Sequence, residues 1–232
     1  MAAKLTSGLM RAASKKIKQM PYKCVCFIFF LTAAAAALFL LIRAHHNDNA
    51  NDFFDPVLAN AAVNDPRLQH GDLICRSGVG FWSEYFRSHN DTDKRFSHIG
   101  VVIITADGKR SVIHAEANDF TGSGTVFQEP LYDFAGKALS IGVFRLKNVD
   151  ASRFATAAAK RLGTPFDWQF DLETSDRLFC TELIQTALLD AGSKIQLPVR
   201  RKYEFQLLPV DSCTGKEIAD EICQIPDKYG SF

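Results

Sequence analysis

Cys180, His98, His114 and Glu116 are the residues of this chain that could together carry covalent catalysis. A cysteine attacks a carbonyl carbon once an imidazole takes its proton. The imidazole in turn needs a third group to fix its tautomer and orientation. Cys180 lies in Leu178-Phe179-Cys180-Thr181-Glu182-Leu183, near the expected start of a helix. Unpaired backbone N–H groups there favour a thiolate and can hold an oxyanion. Taken alone, a cysteine in such a run is more often a buried apolar residue. The turn between the two histidines sharpens the reading. Asp107-Gly108 marks a hairpin. A two-residue loop would set His114 opposite Val101, on the face away from His98. A three-residue loop, Ala106-Asp107-Gly108, needs Gly108 in the left-handed conformation. It sets Glu116 opposite His98 and His114 opposite Gly100. These four residues then share one face, and Gly100 leaves room between the imidazoles. His114 and Glu116 are both within reach of His98, and an ordinary polar strand face is the alternative.

The elements that must position these residues are short. Asp72–Arg76, His98–Ile104, Ser111–Ala117 and Ile141–Leu146 read as strands by their β-branched content. Phe81–Arg87 reads as a short aromatic helix. An Ala-rich helix runs from Asp150 to Leu162 and stops at Gly163. A further helix carries Leu183, Ile184, Ala187 and Leu188 and ends at Gly192, with Thr174, Ser175 and Asp176 as acceptable caps upstream. Strands clustered before helices give an α+β class.

Composition places the rest. Hydrophobic residues make up 47% and charged residues 23% of 232 residues, as in a globular chain. The net charge of +1 selects no nucleic acid. Residues 1–23 carry only positive charges and read as a cytoplasmic basic segment. Residues 24–42 are uncharged and nearly all apolar, about 19 residues at ~1.5 Å rise, close to the ~30 Å of a hydrocarbon core. The positive flank precedes this run and Asp48, Asp52 and Asp55 follow it. That predicts a single-pass membrane protein with its C-terminal domain outside the cytoplasm, in a bacterium the inner membrane and periplasm. A cleaved signal peptide is the rival reading. Residues 43–65 read as a linker and 66–232 as the folded domain. Cys24 and Cys26 fall in the apolar run, and Cys75 reads as a buried thiol. Cys213 and Cys223 could pair in an oxidising compartment. No Cys-x-x-Cys or His-x-x-x-His spacing is present, so neither a metal nor another cofactor is expected.

These motifs together resemble a family. Ser97-His98-Ile99-Gly100-Val101 and Val112-Ile113-His114-Ala115 resemble the two histidine strands of NlpC-type cysteine peptidases. Phe179-Cys180-Thr181-Glu182-Leu183 resembles the Tyr-Cys-Ser-Glu-Leu motif of the circularly permuted papain-like branch, the YiiX-like hydrolases, in which the cysteine comes last. Gly71-Asp72-Leu73-Ile74 and Phe166-Asp167-Trp168-Gln169-Phe170 resemble that branch's opening strand and its aromatic-Asp segment. The resemblance spans about residues 68–190. It implies an antiparallel sheet or open barrel packed on helices, with Cys180 as nucleophile, His98 as base and His114 as third residue, Glu116 being the alternative. The implied activity is cleavage of an amide, in a peptidoglycan peptide or a small molecule, through an acyl-enzyme. A lipid acyl hydrolase or acyltransferase, as in lecithin–retinol acyltransferase-like proteins, and an inactive binding module of the same fold are the alternatives. The aromatic run Phe81, Trp82, Tyr85 and Phe86 would suit a lipid but serves as readily in core packing.

Overall fold

The hairpin that brackets Asp107-Gly108 sets the register of the sheet. In the computed structural model, which describes residues 32–38, 53–118, 121–174, 176–202 and 205–225, strand β2 (His98–Ile104) pairs antiparallel with β3 (Arg110–Ala117). Val101 faces Ile113 and Ile104 faces Arg110, as the three-residue loop requires. The loop is closed by Thr105 N–H to Lys109 O at 3.0 Å, and Gly108 takes φ 80°. The Thr105 hydroxyl bonds Asp107 and accepts from the Lys109 N–H, fixing the turn.

The other elements are α1 (Pro56–Asn64), β1 (Leu73–Ser77), α2 (Phe81–His89), β4 (Gly124–Pro130), α3 (Leu131–Gly136), β5 (Ser140–Leu146), α4 (Ala151–Ala159) and α5 (Cys180–Asp190). After them come the short hairpin β6 (Arg200–Lys202) and β7 (Phe205–Leu207), then α6 (Val210–Thr214) and β8 (Ala219–Ile225). Six strands form one sheet in the order β4-β3-β2-β1-β5-β8, antiparallel throughout. Period-two alternation divides the core into two layers. Leu73, Ile99, Val101, Ile113 and Ala115 pack with α4 and α5 on one face. Ile74, Val102, Val112, Ile141 and Val143 pack with α1 and α3 on the other. Leu183, Ile184 and Leu188 anchor α5 fully buried, each contributing about 1.5–3 kcal/mol by burial.

Several expectations change. The segment read as a linker contains α1. Asp55 caps it by accepting from Val57 and Leu58 N–H, Pro56 opens it, and Leu58, Ala59 and Ala62 are buried. Helix α5 starts directly at Cys180, with Phe179 as N-cap in place of Thr174 or Asp176; Ser175 lies outside the described residues. The N-cap has no side-chain acceptor, and Glu182 supplies half of a capping box by accepting from Phe179 N–H at 3.3 Å. Cys213 and Cys223 are both free thiols. They belong to the core layers on opposite faces of the sheet, which rules out the bridge between them. The expected membrane span, residues 24–42, lies outside the described residues except for 32–38, which are helical. Among the described residues no helix is long and apolar enough to cross a membrane.

Candidate active site

His98 opens β2 at the point where the β2–β3 ladder ends, at Val101–Ile113. Beyond that point β3 continues beside β4 and β2 beside β1, with His98 facing Arg76. The two histidines bridge the gap. His98 Nε2 lies 2.8 Å from His114 Nδ1, and the rings meet nearly edge to face. Gly100 makes this approach possible. A Cβ there would stand 2.5 Å from Val112 Cγ1, 3.0 Å from Ile113 O and 3.1 Å from His114 Cβ.

The third residue is more deeply connected than expected. His114 is completely buried, and its Nε2 stands 2.9 Å from Glu129 Oε1 on β4, out of line for a well-formed hydrogen bond. Glu116 Oε2 is 4.0 Å from His114 Nδ1, and its other oxygen bonds the Arg76 guanidinium. Arg76 is buried over the Phe134 ring and donates to Phe134 O at 3.3 Å. Lys137 Nζ holds Glu129 Oε2 at 2.7 Å. Neither Arg76 nor Glu129 was singled out from sequence. Each acts through contacts distant along the chain, and only the strand-end place of Arg76 and the place of Glu129 on an unrecognised strand could have hinted at them.

Charge in this network follows from burial and neighbours. Burial works to raise the Glu116 and Glu129 carboxyls. Arg76 and the histidines outweigh it for Glu116, as His114 and Lys137 do for Glu129, and both fall to about 2. Burial, with Arg76 adding to it, lowers His98 well below its ordinary value, although Glu116 opposes. Burial also lowers His114, against the pull of Glu129. Both imidazoles are therefore neutral at pH 7 beside two ionised carboxylates.

Cys180 lies at the first turn of α5, half-buried. Burial pushes its thiol up to about 11, against the opposing pull of the backbone amides of Ile99 and Thr181. Burial thus works against the thiolate that a helix start favours. The Thr181 hydroxyl donates to Leu208 O at 2.6 Å, tying the start of α5 to the C-terminal segment. Cys180, His98, Glu116 and Arg76 line one cavity of about 460 Å³, which Leu208 and Val210 also border. Residues after 193 thus supply a wall of the site and, as β8, the sheet edge.

The sequence matches the family model described as "Permuted papain-like amidase enzyme, YaeF/YiiX, C92 family" over residues 67–210, more than half of the chain. The chain belongs to this family. Among solved structures it is similar to the metalloprotein yiiX from Escherichia coli O157:H7. The TM-score is 0.54 at 16% identity, covering 68% of this chain and 97% of that one. A search of curated proteins returns no match. The family is one of amidase- or peptidase-like hydrolases, in agreement with the resemblance seen in the motifs.

His114, Glu116 and Glu129 also bring three metal-ligating atoms within 4.8 Å of one another. Their charge is already answered: Arg76 sits on Glu116, and Lys137 on Glu129. A divalent cation would have to share both carboxylates with these two cations. The set does not fit a resident metal.

Proposed function

We propose that the protein is a cysteine amidase in which Cys180 is the nucleophile, His98 the base and His114 the orienting residue. The observation that carries this reading is the aligned pair His98 Nε2–His114 Nδ1 at 2.8 Å, backed by Glu129 at 2.9 Å from His114 Nε2. An ionised Glu129 accepts only, so His114 carries its proton on Nε2 and presents a lone pair at Nδ1. His98 then donates from Nε2, which leaves its Nδ1 unprotonated as the base. The chain of contacts thus selects the tautomer that can accept a proton.

His98 Nδ1 takes the Cys180 proton as the sulfur attacks the amide carbon. On this reading the backbone N–H groups at the start of α5 receive the oxyanion. The tetrahedral adduct collapses as His98 returns the proton to the leaving amine, which departs and leaves a thioester on Cys180. His98 then deprotonates water, which attacks the thioester, and the carboxylic acid is released with the thiol restored. The depressed His98 lowers the driving force for proton transfer. The charge of Glu129 compensates as the imidazolium forms, because His98 Nε2–H donates into a polarised His114.

The substrate on this reading is an amide in a peptidoglycan peptide or a small molecule. The apolar run at residues 24–42 and its basic flank support anchoring in the membrane, with the domain in the periplasm. Two experiments test the proposal. Cys180→Ala should abolish amide cleavage with the fold retained; cleavage at the wild-type rate ends it. A reporter fused after Phe232 should be active only outside the cytoplasm; cytoplasmic activity overturns the topology.

A further inference from the structure

An arginine is rarely buried unless anions answer its charge. Arg76 on β1 is buried and is flanked by carboxylates from two other strands. Its Nη2 bonds Glu116 of β3, and its Nη1 lies 3.8 Å from Glu129 Oε1 on β4. The guanidinium lies over the Phe134 ring, with Nη1 donating to Phe134 O at 3.3 Å. In the strand register Arg76 faces His98, and Val112 faces Glu129. Alternation therefore puts Arg76, His98, His114, Glu116 and Glu129 on one face of the sheet. This is the face that α3 covers.

His114 stands between the two carboxylates. Glu129 Oε1 is 2.9 Å from its Nε2, and Glu116 Oε2 is 4.0 Å from its Nδ1. Both carboxyls are ionised at pH 7. Burial lowers His114; Glu129 and Glu116 pull it up, and Arg76 pulls it down. Without Arg76 the imidazole would have an unanswered carboxylate beside each nitrogen, which draws it toward a second proton. An imidazolium donates from both nitrogens and accepts at neither. His114 Nδ1 would then turn a proton toward Glu116. The acceptor for His98 Nε2–H, 2.8 Å away, would be gone. His98 would lose the contact that keeps its proton on Nε2, and its Nδ1 would no longer be held bare for Cys180. Arg76 stands against this outcome by engaging Glu116 through its other oxygen, Oε1. Lys137 does not replace it, being bonded to the far oxygen of Glu129.

We propose that Arg76 is a positioning residue of the amidase: by holding Glu116 it keeps His114 neutral and the His114 Nδ1 lone pair open to His98. The two carboxylates then have different tasks. Glu129 fixes the tautomer of His114, and Glu116 answers Arg76. This deepens the amidase reading and rests on it for the meaning of the His98–His114 pair, while the protonation state of His114 is measured without turnover.

The first arm is ¹⁵N NMR of the full-length chain in detergent, labelled in its histidine rings. The sequence holds six histidines, and His114→Gln identifies the His114 signals. Spectra are taken at pH 7 with EDTA, which keeps stray metal off the ring nitrogens. Wild-type His114 should be neutral, protonated at Nε2 and bare at Nδ1. Arg76→Gln should convert it to an imidazolium, and adding Glu116→Gln should restore the neutral ring. An imidazolium in the wild type, or a neutral His114 in folded Arg76→Gln, overturns the proposal whatever the turnover.

The second arm is steady-state hydrolysis of an anilide. Arg76→Gln should lower kcat at least ~10-fold, since general-base catalysis as a whole is worth about 10²–10⁴-fold. The double variant Arg76→Gln/Glu116→Gln should come within about threefold of Glu116→Gln alone, because an arginine that acts only through Glu116 has no separate effect once Glu116 is neutral. A loss that Glu116→Gln does not relieve shows that Arg76 acts on substrate or by packing, and overturns the proposal. Should Arg76→Gln fail to fold, the charge-balanced double variant decides by the same comparison. Conversion of His114 to an imidazolium without Cys180-dependent turnover of any amide removes the amidase and leaves the effect of Arg76 on His114 standing.

Discussion

Replacing Glu129 with glutamine tests the least expected part of the site. The substitution keeps shape and removes one charge. In the wild type the ionised carboxylate stands 2.9 Å from buried His114 Nε2 and is held by Lys137 at 2.7 Å. On the proposed mechanism His98 takes the thiol proton, and the positive charge that forms on it is stabilised through His114 by Glu129. A hydrogen bond to a charged group is worth about 1.5–3 kcal/mol, which at ~1.4 kcal/mol per factor of ten corresponds to a ~10–100-fold fall in kcat. The off-line geometry argues for the lower half of that range. KM should change little, because Glu129 is not among the residues lining the cavity. The assay is steady-state anilide hydrolysis by wild-type and Glu129→Gln protein, with thermal unfolding to show that both are folded. A folded variant with kcat within about twofold of wild type would refute the relay.

Five other outcomes are expected. His114→Ala should lower kcat more than Glu116→Ala, and the reverse order in parallel rate measurements would reassign the third residue. The acidic limb of the kcat/KM profile should lie well below pH 6.5, because His98 must be neutral to act and its depressed value keeps it so. Glu116→Gln removes a charge that favours protonated His98, so the limb should move further toward acid; a move toward alkali contradicts the assignment. Glu182, which burial and then Asp167 and Asp171 raise to about 8, contributes stability that is complete below the unfolded value of 4.5 and is lost as pH rises through 8. Glu182→Gln should therefore stabilise the fold at pH 8, by about 1–3 kcal/mol in urea titrations, with no gain at pH 4; loss of stability at pH 8 would show that the carboxylate cap dominates. Gly100→Ala should destabilise by about 1–3 kcal/mol through the contacts at Val112, Ile113 and His114, and unchanged urea midpoint and activity would show that the strands can part.

The hairpin was readable because its turn chemistry is local. Asp107-Gly108 narrows the hairpin to two registers, and the three-residue loop, which the structure adopts, places His98, His114 and Glu116 on one face. The expected limits of β2 match the structure, and β3 begins one residue earlier than expected. Strand β4 gave no comparable signal: Gly124–Pro130 has no steady alternation, is partly exposed and ends in proline. Missing that strand also hid Glu129, whose role exists only through its pairing beside β3. Edge strand β8 carries Asp220 and Glu221, charges that mask its strand pattern. Helix α1 was hidden by its Asn and Ala content, although Asp55-Pro56 is a recognisable start. The start of α5 near Cys180 was expected, but its cap was not, because Phe179 offers no side-chain acceptor. Burial of Cys180 works against the thiolate that the helix start favours, a balance that depends on how α5 packs and not on any local motif.

The central claim is that Cys180 forms the acyl-enzyme with His98 as its base. The most direct measurement is intact and peptide mass spectrometry of the full chain after rapid acid quench from an activated acyl ester. The account predicts one acyl group per chain, on Cys180, absent in Cys180→Ala and formed far more slowly in His98→Ala. An acyl group on another residue, or unchanged acylation in His98→Ala, would contradict it.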